Sequence, residues 1–63
     1  MLLSTFYGSQ EYSDRLAEVW LEEEDLVVYM YSQGVLVKTQ EITEHTVRYA
    51  EDCAENWTLG IIN

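Results

Sequence analysis

Apolar and polar residues alternate from Ser13 to Glu22, with Ala17, Val19 and Leu21 on one side and Leu16, Glu18, Trp20 and Glu22 on the other. A period of two predicts a half-buried β-strand. Asp14 to Leu21 also contains fair helix formers, but Val19, Trp20 and the alternation favour the strand. Four consecutive carboxylates, Glu22 to Asp25, then interrupt the pattern. Mutual repulsion makes such a run costly unless it points into water, which predicts a turn. Leu26 to Tyr31, LVVYMY, is β-branched and aromatic almost throughout, the mark of a central strand covered on both faces. Ser32-Gln33-Gly34 supplies a tight turn into Val35 to Ile42, with Gly34 as the positive-φ residue. Ahead of this meander, Met1 to Tyr7 predicts a short strand that Gly8 and Ser9 break.

The period changes after Ile42. Val47, Ala50, Ala54 and Trp57 fall at helical spacing, flanked by Tyr49 and Cys53, while Glu44, Arg48, Glu51, Asp52 and Glu55 mostly occupy the other side. Thr43 is the expected N-cap, with Glu44 beside it suiting the positive end of the dipole. Gly60 predicts a stop near Leu59, and Ile61 stands where a C-terminal capping motif takes an apolar contact. The fold class is α+β, a small three-stranded antiparallel meander with a short N-terminal strand added, packed on one C-terminal α-helix. One helix covers one face of that sheet. Trp20 and Leu16 therefore lie on the uncovered face, joined either by Tyr29 and Tyr31 or by Val28 and Met30. An apolar patch of that kind marks an interface, so a symmetric homodimer is expected, closed through that face or by exchange of the N-terminal segment.

Composition sharpens this picture. Sixty-three residues form a single domain, residues 1–63, with no linker or repeat, and a chain of this size has a thin core. One cysteine permits no internal disulfide and no Cys/His zinc cluster is present, which leaves oligomerisation as the usual remedy. An apolar fraction of 48% argues against intrinsic disorder. Three basic against twelve acidic residues give a net charge of −9, which disfavours direct binding to nucleic acid or to anionic membranes. The opening MLLSTFYGS lacks the features of a secretory signal and Leu26 to Tyr31 is too short to span a bilayer, so the expected location is the cytoplasm, a host cell's included.

Candidate chemistry is sparse. A divalent cation needs carboxylates converging on one point, whereas Glu22 to Asp25 are consecutive and lack the spaced acids and central glycine of a calcium loop, so no metal site is expected there. His45 and Cys53 stand eight residues apart with no orienting third group, and Cys53 has carboxylate rather than cationic neighbours, so no thiol nucleophile is expected. His45 reads as a boundary residue of the first turn. No catalytic residue, cofactor or metal ligand is assigned, and the protein is not expected to be an enzyme. Trp57 reads as a core anchor and Trp20, between Glu18 and Glu22, as an interface residue. Glu51, Asp52 and Glu55 crowd the negative end of the helix, with Arg48 the only neighbour on the helix to relieve them. The candidate interface is accordingly Leu16, Trp20, Tyr29, Tyr31, Glu51, Asp52 and Glu55, and the partner it suits is a protein with a basic surface.

RYAEDCAENWTLGII, Arg48 to Ile62, after a hairpin ending VKTQEITEH, resembles small uncharacterised proteins of tailed bacteriophages, particularly those of marine cyanobacteria. The similarity extends in organisation over Arg15 to Ile62. It implies an accessory protein made inside a bacterial host and no particular activity. The functional expectation is a small acidic noncatalytic interaction module that modulates a host protein. Two alternatives are a DNA mimic that occupies a nucleic-acid-binding site and, in another class, a carboxylate-based divalent metal binder or enzyme.

Overall fold

The computed structural model describes residues 1–61. Four strands, β1 (Leu2–Tyr7), β2 (Arg15–Glu22), β3 (Asp25–Ser32) and β4 (Val35–Ile42), form one antiparallel sheet in the order β1-β2-β3-β4, and helix α1 (Val47–Thr58) follows. The architecture is the expected α+β meander with its added N-terminal strand. β1 pairs with β2 of its own chain, Phe6 opposite Ala17 and Tyr7 opposite Leu16, and the Met1 ammonium extends the ladder by donating to the Leu21 carbonyl at 2.7 Å. A bulge between Leu2 and Ser4 lets Leu3 pack against the core while Ser4 donates its hydroxyl hydrogen to Glu51 of the helix.

Alternation along β2 and β3 sorts the sheet into two faces. Ala17, Val19, Val28 and Met30 point to the helix and are fully buried against Ala50, Ala54 and Trp57, with Leu26 and Ile42 closing one end. Register fixes this division, since Val19 stands opposite Val28 and Ala17 opposite Met30. The two hairpins turn through left-handed residues, Glu23 at φ 59° in the first and Gln33 and Gly34 at φ 54° and 78° in the second. The Gln33–Gly34 pair meets the type I′ requirement of positive φ at both central positions.

Helix α1 begins three residues later than its sequence pattern indicates. Thr46, not Thr43, is the N-cap, its Oγ1 accepting from the Tyr49 amide at 3.2 Å. β4 stays paired through Ile42, opposite Leu26, so residues 43–45 are consumed in climbing from the sheet to the helix layer, with Glu44 turned to φ 60°. Glu44 therefore lies before the first turn rather than in it. Val47 is 43% exposed and outside the apolar stripe, because the chain enters α1 from β4 whereas α1 packs on β1, β2 and β3. Geometry explains that placement: a helix is about 10 Å across, and four strands about 4.8 Å apart present a wider floor than it can roof.

At the other end the Gly60 amide donates to the Trp57 carbonyl at 3.1 Å and the Ile61 amide to Asn56 at 2.9 Å. This is the expected glycine-based Schellman stop. The apolar contact expected of Ile61 is not made, since its side chain stays 66% exposed; the ring of Tyr12 sits over Gly60 instead. Tyr12 belongs to a 3₁₀ turn, Gln10–Tyr12, that tucks beneath the helix end. That tuck requires Gly8, where a Cβ would lie 1.9 Å from the Tyr12 carbonyl oxygen.

Candidate functional site

The sheet face away from the helix carries the side chains of interest in cross-strand rows. Tyr7, Leu16, Tyr31 and Leu36 make one row, Thr5, Glu18, Tyr29 and Thr39 the next, and Leu2, Trp20, Val27 and Glu41 the third. Of the two partner sets left open for Trp20, Val28 and Met30 are thereby excluded and Tyr29 and Tyr31 selected. Leu16, Trp20, Tyr29 and Tyr31 are half-buried. The Trp20 and Tyr29 rings meet edge to face with centroids 6.4 Å apart. Val27, opposite Trp20, is buried on this same face, and no sequence signal within LVVYMY separated it from the core valine at position 28.

Carboxylates are interleaved with these rings. Glu18, at the middle of the face, accepts from the Trp20 indole at 3.1 Å, and its charge lies near the Tyr31 hydroxyl. Glu22 accepts the Tyr29 hydroxyl at 2.8 Å. These bonds have an electrostatic consequence. The Tyr29 pKa is raised above 10.0, first by its hydrogen bond to Glu22 and then by partial burial, and that of Tyr31 is raised by burial and by the charge of Glu18. Each ring hydroxyl thus stays protonated, and each carboxylate has acceptor capacity beyond the bond it makes here. At the end of the face a groove of about 390 Å³ opens among Tyr7, Ser13, Asp14, Leu16, Glu18 and Tyr31.

Glu51, Asp52 and Glu55 belong to the opposite layer. Asp52 and Glu55 are exposed on α1, and Glu51 is half-buried against Ser4 of β1. The seven candidate interface residues therefore form two separate surfaces, because the helix carrying the last three covers the other side of the sheet. Relief of the helix's negative end also comes from elsewhere than expected. Arg15, at the start of β2, donates from Nη1 to the Trp57 carbonyl at 2.6 Å and lies 4.6 Å from the ring centroids of both Tyr12 and Trp57. A cation at a helix C-terminus is favoured by the dipole. The reading by helical neighbours found only Arg48, because a contact 42 residues away in sequence leaves no local periodicity.

The remaining polar groups are structural. Glu22 pairs across the first hairpin with Asp25, and Glu23 and Glu24 form its exposed tip. Among the described residues no three His, Cys, Asp or Glu side chains converge to hold a metal ion. His45 stacks on Tyr49 at 4.0 Å between centroids, just ahead of the helix, and Cys53 is half-buried two turns on. Among the described residues no helix is long and apolar enough to cross a membrane. In comparisons with protein-family models, with curated proteins and with solved structures, the chain matches none.

Proposed function

We propose that this chain is a noncatalytic protein-interaction module whose uncovered sheet face docks a protein with a basic surface. The observation that carries the reading is Glu18 seated among Leu16, Trp20, Tyr29 and Tyr31. Aromatic rings interleaved with carboxylates offer a lysine or arginine side chain both cation–π attraction and a charge-assisted hydrogen bond. A net charge of −9 adds long-range steering of such a partner. The same carboxylates disfavour a face-to-face pair of identical chains, which would set Glu18, Glu22 and Glu41 against their own copies. They also favour a protein partner over DNA mimicry, since carboxylates spaced out by rings do not reproduce a dense row of phosphates. The resemblance to phage proteins supports reading this docking as an accessory function in a bacterial host's cytoplasm.

The reading is tested by titrating an arginine- and lysine-rich peptide calorimetrically into the protein and its variants. Trp20→Ala and Glu18→Gln should each weaken binding by about tenfold or more, as expected of an interface anchor, while Asp52→Asn on the helix layer changes it little. Equal loss from Asp52→Asn and Glu18→Gln would reduce the interaction to net charge and overturn the reading.

A further inference from the structure

We infer that the groove at the end of the aromatic face is an arginine socket, which takes one arginine side chain of the basic partner between Tyr7 and Tyr31. This rests on the docking reading and narrows it to one residue type and one end of the face. Tyr7, Leu16 and Tyr31 stand opposite one another on β1, β2 and β3, so two tyrosines flank a leucine. Tyrosine outreaches leucine, which makes Leu16 the floor and the two rings the walls of the 390 Å³ groove. Alternate strands of a sheet lie about 9.6 Å apart, and their side chains stand roughly perpendicular to it. A cation entering midway is therefore about 5 Å from each wall, within the roughly 6 Å over which a ring face attracts it.

Charge identifies the occupant. Asp14 and Glu18, two residues before and two after Leu16 in the chain, both line the groove. Glu18 accepts from the Trp20 indole and Asp14 from the Ser32 hydroxyl at 3.0 Å, which holds each carboxylate in place. An ionised carboxylate offers about four acceptor sites, so one such bond leaves room for a ligand's donors. Arg15 also lines the groove, but its guanidinium is turned to the helix end by the Trp57 carbonyl and the Tyr12 and Trp57 rings. The slot is thus left with two acids and no cation to answer them.

An apolar side chain there would strip water from Glu18 without replacing its hydrogen bonds, and an acidic one would be repelled. Arginine suits the slot better than lysine. Its planar, weakly hydrated guanidinium stacks on rings while its fork donates to a carboxylate, whereas an ammonium holds its water more firmly.

An NMR titration of the intact protein with a capped pentapeptide carrying one central arginine tests this, beside peptides carrying lysine or citrulline at that position. Citrulline keeps the shape of arginine and loses its charge. Arginine should bind about threefold or more tighter than lysine and about tenfold tighter than citrulline, moving the amide signals of Tyr7, Leu16 and Gly34. Tyr7 is 72% exposed, so Tyr7→Ala spares the core, and Asp14→Asn keeps an acceptor for Ser32. Each should weaken arginine binding about threefold or more, and Tyr7→Ala should also narrow the margin over lysine. Equal binding of arginine and lysine, equal binding of arginine and citrulline, or no shift at millimolar peptide would overturn the inference. Arginine binding weakened by Trp20→Ala but indifferent to Tyr7→Ala and Asp14→Asn would overturn it as well and leave the docking reading standing. The docking reading falls with it only if the arginine- and lysine-rich peptide also fails to bind.

Discussion

Replacing Arg15 by methionine should destabilise this protein more than changing any other charged residue. Methionine keeps an unbranched apolar stem in the slot between the Tyr12 and Trp57 rings and removes the guanidinium. What is lost is a charged hydrogen bond to the Trp57 carbonyl at 2.6 Å and contact with two rings, each 4.6 Å from the guanidinium carbon. A hydrogen bond from a charged group contributes about 1.5–3 kcal/mol and each half-exposed cation–π contact about 0.5–1 kcal/mol. Non-additivity keeps the sum near 2–4 kcal/mol, a large share of the roughly 5–15 kcal/mol that stabilises a typical domain. For a chain of this length that corresponds to a fall in Tm of about 10–30 °C. Urea unfolding followed by circular dichroism and by tryptophan fluorescence measures it, with coincident transitions as the check on two-state behaviour. Arg15→Lys should recover part of the loss, since an ammonium keeps the charge but not the planar stacking. A change below about 0.5 kcal/mol for Arg15→Met would refute the view that a strand residue, through its side chain, secures the end of the helix.

Further outcomes follow from the same contacts. Thr46→Ala should cost about 1 kcal/mol of stability in thermal or urea unfolding and Thr43→Ala very little; the reverse order would restore the earlier helix start. Gly8→Ala should be more damaging than Gly34→Ala in the same assay, although Gly34 has φ 78° and Gly8 does not. An added Cβ has open space at Gly34 but meets the Tyr12 and Thr58 carbonyl oxygens at Gly8. The Gly34 change carries only its left-handed strain of about 1–2 kcal/mol. In a spectrophotometric tyrosinate titration, Tyr29 and Tyr31 should ionise above 10.0, and Glu22→Gln should bring Tyr29 back toward that value. Because the folded pKa values are raised, the stability they contribute is fully present below pH 10.0 and is lost as pH rises through the folded values. Tyrosines that all ionise as in the unfolded chain would contradict the Glu22 hydrogen bond of Tyr29 and the burial of Tyr31 beside Glu18.

What the sequence made legible was whatever repeats along the chain. The alternation in β2, the apolar β3, the turns at Glu23 and Gly34 and the Ala50–Ala54–Trp57 stripe each follow from a local period, a run of like charges or a glycine free to take positive φ. What it hid depends on how separate elements meet. LVVYMY reads as apolar on both sides, and only the register, Trp20 opposite Val27 and Glu18 opposite Tyr29, decides which residues join the aromatic face. The helix start was misplaced because two threonines can each cap, and the choice falls to the distance the chain must climb after Ile42. Arg15 was read as one more strand residue because its partners lie on the 3₁₀ turn and at the far end of α1.

These hidden contacts bear on how the charge of the molecule is arranged. Arg15 turns inward to the helix end, and Lys38 stands opposite Met30 on the helix side of β4, so two of the three cations are directed away from the aromatic rows that hold Glu18. Arg48, the third, is exposed on the helix layer. The uncovered sheet face is thereby left with carboxylates and rings. On the docking reading proposed above, that arrangement selects a basic partner and disfavours an acidic one, because rings and carboxylates on one face have no cation of their own beside them.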